Sequence, residues 1–308
     1  MSARRLVATG TKGQVATALL GQDWPGWEVA AVGRPAIDLA RAEGLLPALE
    51  AAAPDVVVNV AAHTDVEGSE DEADLAMAVN ATGAEAVAKA AREFGVPVIQ
   101  ISTDYVFDGR AGRPYREDDQ TAPLNVYGRS KLEGERLVAA AHPDHAILRA
   151  SWVYAPDPGW RDGPRLRNFV LTMLRLATSR DAVDVVSDQH GAPTHAADLA
   201  RAILRVADVA LGAEPAQGEW RGVTHVAPGG HATWADVAGA VFESSAALGG
   251  PSAEVRPVSS DAFKTRARRP VDSRLDTSRL REVFGLDLPH WRDGVERCVR
   301  SCLEGARP

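Results

Sequence analysis

Three side chains able to move a proton stand at informative spacings in this chain. Thr103 lies in the run Ser102-Thr103-Asp104-Tyr105-Val106-Phe107, and Tyr127-Gly128-Arg129-Ser130-Lys131 opens a helical stretch further on. Tyr127 and Lys131, at i and i+4, share one helix face a turn apart. A phenol with a pKa near 10 is a sluggish acid or base at neutral pH. An adjacent ammonium stabilises the phenolate and lowers that pKa. A hydroxyl at Thr103 can share either the phenolic proton or the carbonyl oxygen that receives it. The triple therefore predicts proton transfer at a carbonyl oxygen.

A second constellation is suited to a dinucleotide. The first apolar run leads into Gly10-Thr11-Lys12-Gly13-Gln14-Val15-Ala16, a G-x-x-G-x-x-A turn opening a helix. Glycines allow a tight turn and close backbone approach, and free N–H groups at the helix start attract a pyrophosphate. The second run ends in Val32-Gly33-Arg34, where a carboxylate would grip the ribose 2′-hydroxyl of NAD and an arginine suits the 2′-phosphate of NADP. Asp38 and Leu39 follow, placed to flank an adenine. After the third run, Ala61 and Ala62 are small enough for a cofactor to lie against them, and His63 reads as a packed or solvent-facing ring, not an acid/base. The expected cofactor is NADPH, with NADH as the weaker alternative.

The elements that must position these residues alternate along the first half. Continuous apolar runs at 5–9, 28–32, 55–60, 96–102 and 145–150 read as strands buried on both faces. Helical patterns at 14–20, 40–52, 72–94 and 126–141 lie between them. This order predicts an α/β fold, a Rossmann-type doubly wound parallel sheet whose ligand crevice lies at the carboxyl ends of the strands. After residue 150 the texture changes to a Pro/Gly/charge-rich loop at 156–167, helices at 168–178, 196–211, 234–247, 276–284 and 289–304, a strand at 182–186, and a second strand after a polar linker at 214–222. A basic loop occupies 264–269. The expected division is a dinucleotide-binding domain over 1–150 and a smaller, mainly substrate-binding domain over 151–308, some segments of which return to the first.

Composition bounds the reading. The chain has 308 residues, 45% hydrophobic and 25% charged, which is ordinary globular composition. A net charge of −8 argues against electrostatic nucleic-acid binding, although local arginines can still hold an anionic small molecule. No apolar run approaches the roughly 18 residues of a membrane span, and residues 1–5 lack a signal-peptide core, so the expected location is the cytoplasm. Cys298 and Cys302, one helical turn apart with no His or Cys neighbour, form neither a convincing metal site nor a disulfide.

Several longer segments carry a resemblance. They are 59–67 (NVAAHTDVE), 79–83 (VNATG), 102–109 (STDYVFDG), 127–135 (YGRSKLEGE), 148–154 (LRASWVY), 168–170 (NFV), 188–194 (DQHGAPT) and 269–276 (RPVDSRLD). Across nearly its whole length the chain resembles the extended short-chain dehydrogenase/reductases, and within them the dTDP-4-dehydrorhamnose reductase family. The resemblance implies NADPH-dependent reduction of the C4 keto group of dTDP-4-dehydro-L-rhamnose to dTDP-L-rhamnose. It implies Tyr127 as proton donor, Lys131 on the nicotinamide ribose and tuning Tyr127, and Thr103 adjusting the same proton. Thr103, Asp104, Tyr105 and Trp152 fall where the family contacts the sugar. Gly10, Lys12, Gly13, Gln14, Val15, Asp38, Leu39, Ala61, Ala62 and His63 fall on the cofactor. Arg269, Asn168 and Gln189 are candidates for the nucleotide and its phosphates, with helix capping or loop hydrogen bonding as the competing role for Asn168 and Gln189. Some members of the family are dimers holding Mg²⁺ through carboxylates, so a homodimer stays open. The corresponding places here, Ala18 and Ala197, cannot ligate and argue against a metal.

Two other readings remain. A sugar-nucleotide epimerase or different 4-ketoreductase would share the fold, though Arg34 disfavours an NAD-retaining epimerase. A non-catalytic subunit resembling the regulatory subunit of methionine adenosyltransferase is disfavoured by the intact Thr103/Tyr127/Lys131 set.

Overall fold

The computed structural model describes residues 3–161 and 166–305. Residues 162–165 of the 156–167 loop lie outside the described residues. The first half supplies β1 (Arg4–Thr9), α1 (Gln14–Leu20), β2 (Trp27–Val32), α2 (Leu45–Ala52), β3 (Val56–Asn59), α3 (Ala73–Met77), α4 (Gly83–Glu93), β4 (Val98–Thr103), α5 (Val126–Ala141) and β5 (His145–Ala150). The second half supplies α6 (Phe169–Ala177), β6 (Ala182–Val186), β7 (His190–Gly191), α7 (Ala196–Ala210), β8 (Gly222–Val226), β9 (Pro228–Gly229), β10 (Ala232–Thr233), α8 (Trp234–Ala247), β11 (Glu254–Val258), α9 (Ser278–Phe284), β12 (Leu288–His290) and α10 (Trp291–Glu304).

The central sheet has six strands in the order β2-β1-β3-β4-β5-β8, all parallel. Strand order reverses between β1 and β3, which opens a crevice beyond their carboxyl ends. Alternate side chains of each strand go to opposite faces. Leu6, Ala8, Val56, Val58 and Ile99 pack with Leu19, Leu199, Ile203, Leu280 and Phe284 on one side. Val7, Val57 and Val98 pack with Leu45, Leu49, Val87, Ala91 and Val138 on the other. With helices on both faces, the strands can be continuously apolar, as read from the sequence. β8 comes from the second half of the chain and completes the sheet beside β5.

A separate apolar cluster joins α6, α8 and α10 through Val170, Leu174, Val241, Phe242, Val295 and Val299, with Cys298 and Cys302 buried among them. β6 pairs with β11, and three-residue and shorter strands pair β7 with β10 and β9 with β12. No helix among the described residues is long and apolar enough to cross a membrane.

Two helices differ from their sequence patterns. The 40–52 pattern becomes helical only at Leu45, because Asp38 and Glu43 exchange backbone hydrogen bonds at 3.1 and 3.2 Å and close a loop before it. The 72–94 pattern is interrupted by a π-turn at Ala78–Thr82. There the buried Asn80 amide donates to the His63 carbonyl at 3.0 Å and to Ser130 Oγ at 2.9 Å, ties that the widened turn accommodates.

Candidate active site

The carboxyl ends of β1, β3, β4 and β5 open into a cleft of about 920 Å³. The turn after β1 forms one end. Gly10 sits at φ +88°, a left-handed turn that favours glycine, and a Cβ there would lie in tight contact with Ala61 at 3.3 Å. Lys12, Gly13, Gln14 and Val15 continue that wall, Arg34, Asp38 and Leu39 form the edge beyond β2, and Ala61, Ala62 and His63 form the floor after β3. The far end holds Thr103, Asp104, Tyr105, Tyr127, Lys131 and Trp152.

The start of α5 is held by several ties. Asn125 caps it, Oδ1 accepting from Gly128 N at 2.7 Å. Ser130 Oγ donates to the Tyr127 carbonyl at 2.8 Å and itself receives the Asn80 amide, so the π-turn braces the turn that carries Tyr127. A Cβ at Gly128 would lie 2.2 Å from the Tyr105 carbonyl, so α5 approaches the β4 end as closely as only glycine permits. Further along α5, Glu135 accepts from Ser102 Oγ at 2.5 Å and from Arg149 Nη2 and Nε at 2.7 and 2.9 Å. This buried bidentate pair locks α5 to β4 and β5 behind the site.

The electrostatics departs from the sequence expectation for the phenol. Burial pushes Tyr127 up to about 12, and a hydrogen bond with Thr103 pulls weakly the other way. Lys131 Nζ donates to the Ile101 carbonyl at 2.6 Å. Burial also lowers Lys131 to about 8, against the attraction of Glu135. A protonated phenol is the form a proton donor needs. Asp104, 2% exposed, is raised to about 6 by burial despite hydrogen bonds from Ser273, Thr103 and Ser151.

Trp152 carries an unusual φ of +48° and stacks on Trp234, with centroids 3.6 Å apart and planes 7° apart. Trp234 and Arg167 also line the cleft. Sequence reading passed over both, since an isolated tryptophan at a helix start and an arginine in an irregular loop carry no spacing signal. Ser151 and Ser273, within 148–154 and 269–276, carry no spacing signal either.

Not every expected residue reaches the cleft. Asn168 lines an adjoining pocket of about 100 Å³. It caps α6, accepting from Leu171 N at 3.0 Å, while its amide donates to Gln14 Oε1 and the Ala155 carbonyl at 2.8 and 2.9 Å. Gln189 accepts from Trp234 Nε1 at 3.2 Å, outside the cleft lining. Arg269 is not among the cleft-lining residues and pairs with Glu67 at 3.1 Å. His63, by contrast, lines the cleft floor, its ring held between Ser69 Oγ at 3.1 Å and Glu72 Oε2 at 3.0 Å. Among the described residues no group of three or more His, Cys, Asp or Glu is placed to hold a metal.

The cleft suits a dinucleotide on geometric grounds: a left-handed glycine turn, an alanine floor and an arginine at its edge. The family model described as RmlD substrate binding domain matches residues 4–303. A dTDP-4-dehydrorhamnose reductase of Sinorhizobium fredii is 44% identical over 97% of this chain and 98% of its own length. The chain belongs to the dTDP-4-dehydrorhamnose reductase family. A reductase of that name from Escherichia coli K12 is 43% identical over 86% of this chain and 85% of its own length. The crystal structure of the dTDP-4-dehydrorhamnose reductase of Bacillus anthracis in complex with NADP superposes with a TM-score of 0.84. It is 33% identical and covers 96% of this chain and 98% of that one. For this family member, then, the Rossmann-type architecture read from the sequence stands.

Proposed function

We propose that this chain reduces the C4 keto group of dTDP-4-dehydro-L-rhamnose to give dTDP-L-rhamnose, using NADPH. The observation that carries the reading is the convergence of Thr103, Tyr127 and Lys131 at the far end of a dinucleotide-shaped cleft. NADPH supplies the hydride when bound. Gly10, Lys12, Gly13, Gln14 and Val15 would hold its pyrophosphate, Arg34 its 2′-phosphate, Asp38 and Leu39 its adenine side, and Ala61, Ala62 and His63 its middle.

The chain's own residues do the rest. Tyr127 donates its hydroxyl proton to the C4 oxygen as negative charge develops there, and its raised pKa keeps that proton in place beforehand. Thr103 hydrogen-bonds the phenol and orients it. Lys131, one turn from Tyr127 on α5, would hold the nicotinamide ribose and adds a positive charge to that end of the cleft. Asp104 accepts from a sugar hydroxyl, Tyr105 borders the same space, and the Trp152–Trp234 stack offers a flat apolar wall to the sugar ring. Arg269 meets the diphosphate. Asn168 and Gln189 act by holding Gln14 and Trp234 in place. A cytoplasmic location fits a reductant-dependent reaction and two buried, unpaired thiols.

The test is loss of NADPH absorbance with dTDP-4-dehydro-L-rhamnose as substrate. Consumption is expected with the nucleotide-linked sugar and near absence of it with the free 4-keto sugar. Equal rates with both would overturn the substrate assignment.

A further inference from the structure

Residues 264–269 carry four cations, Lys264, Arg266, Arg268 and Arg269, and face an acidic turn after β3 that contains Asp65, Glu67, Glu70, Asp71 and Glu72. Two contacts from the basic loop converge on one carboxylate. Arg269 Nη2 donates to Glu67 Oε1 at 3.1 Å, and the Arg266 backbone N–H donates to Glu67 Oε2 at 2.9 Å. The Arg266 guanidinium pairs with Asp71. Both segments also reach the start of α5: Asn125 Nδ2 donates to the Arg268 carbonyl and Val126 N to Glu70 Oε1, each at 2.8 Å.

This meeting point borders the reacting end of the cleft. Tyr105 lies within the electrostatic reach of both Arg269 and Glu67, and its ring is edge-on to Tyr127 with centroids 6.0 Å apart. Glu67 thus presents two anionic oxygens to a guanidinium and a backbone N–H, the donor set that also suits a phosphate oxygen pair. The Arg269 and Glu67 side chains are 32% and 31% exposed, so an entering anion can reach the pair and the carboxylate can turn out to water.

We propose that Glu67 is a built-in stand-in for the substrate's diphosphate. It holds Arg269 in the free enzyme, and the arriving nucleotide sugar displaces it. Binding is then an exchange of one anion for another on the same donors. The strength of substrate binding becomes a difference between two ion pairs, and Glu67 sets that difference. Neutral sugars cannot displace the carboxylate, so the same contact favours anionic substrates. This inference rests on the assignment of Arg269 to the diphosphate.

Calorimetric titration of dTDP into wild type, Glu67→Gln, Arg269→Gln and the double variant separates the two ideas. Glu67→Gln is expected to tighten dTDP binding about two- to five-fold at low salt, the range of an exposed ion pair. The gain is expected to shrink in high salt. Glu67→Ser, which removes the charge with a smaller side chain, is expected to act in the same direction. In the Arg269→Gln background the Glu67 change is expected to have no effect. If Arg269→Gln weakens dTDP while removing the Glu67 charge leaves affinity unchanged or lower, the stand-in idea falls and Arg269 keeps its role. If Arg269→Gln leaves dTDP affinity unchanged, both fall.

Discussion

At the scale of single residues, the site turns on which proton sits where. Tyr127→Phe removes one hydroxyl from a buried ring and leaves its packing intact, so the fold and NADPH affinity are expected to persist. Turnover should fall by about 10²–10⁴-fold, the usual size of an acid–base contribution. Steady-state kinetics beside a cofactor titration checks this, and near-normal turnover would remove Tyr127 from the mechanism. With Tyr127 at about 12, the phenol stays protonated through the working range, so a basic limb in the pH profile belongs to Lys131, lowered to about 8. Above that pH the ammonium is lost, and kcat/KM for NADPH is expected to decline. A profile flat to pH 10 would contradict this role. Arg34 is exposed at the cleft edge, so its attraction for a 2′-phosphate is partly screened and NADPH preference should be modest. Arg34→Asp adds repulsion against the phosphate and an acceptor for a ribose hydroxyl, and is expected to reverse the NADPH-to-NADH ratio of kcat/KM. An unmoved ratio would leave Arg34 a mere surface residue.

At the scale of elements, α5 carries the chemistry and must not slide along the sheet. Its anchor is the Glu135–Arg149 pair, with side chains 5% and 4% exposed, linked to Ser102 on β4 and approached by His225 on β8 at 3.4 Å. Removing one partner leaves a buried charge without its counter-ion, so Arg149→Met is expected to cost about 3–5 kcal/mol of stability. Changing both, Glu135→Leu with Arg149→Met, should recover much of that loss, because no lone charge remains. Urea unfolding of the two variants distinguishes the pair from simple loss of side-chain volume: if the double variant is no more stable than the single, packing and not charge governs the anchor.

For the whole molecule, buried titratable groups pull stability in opposite directions with pH. Asp104 is raised from 3.8 to about 6 by burial, so its contribution is full below about pH 4 and is lost as pH rises through 6. His225, lowered from 6.5 to about 3 by burial and by Arg149, and His195, lowered to about 4 by burial, behave in reverse. Their contributions are full above pH 6.5 and are lost as pH falls through 4 and 3. Two histidines oppose one carboxyl, so net stability is expected to fall on acidification below about pH 6.5. Asp104→Asn removes the opposing carboxyl. It is expected to stabilise the protein by up to about 3 kcal/mol at pH 7 and not at all below pH 4, while impairing reduction. Unfolding midpoints at several pH values test this, and a gain independent of pH would mean that Asp104 is not the group responsible.

The sequence by itself revealed five strands of the parallel sheet and the spacing of the residues proposed to do the chemistry. Short continuous apolar runs alternating with helical patterns read as strands covered on both faces, and a glycine turn after the first of them, followed by Thr103, Tyr127 and Lys131, marks one cleft. These are local patterns with fixed periods, so chain order alone reveals them. Tertiary structure decided where long side chains point. Lys131 turns to a carbonyl, Arg269 finds Glu67 across 202 residues, and Asn168 and Gln189 brace neighbours outside the cleft lining. It also joined Trp234 to Trp152 and broke a helical pattern at Asn80. A hydrogen bond or ion pair forms with whichever partner packing brings within about 3 Å, and that distance is fixed by how the layers close, which no spacing along the chain encodes.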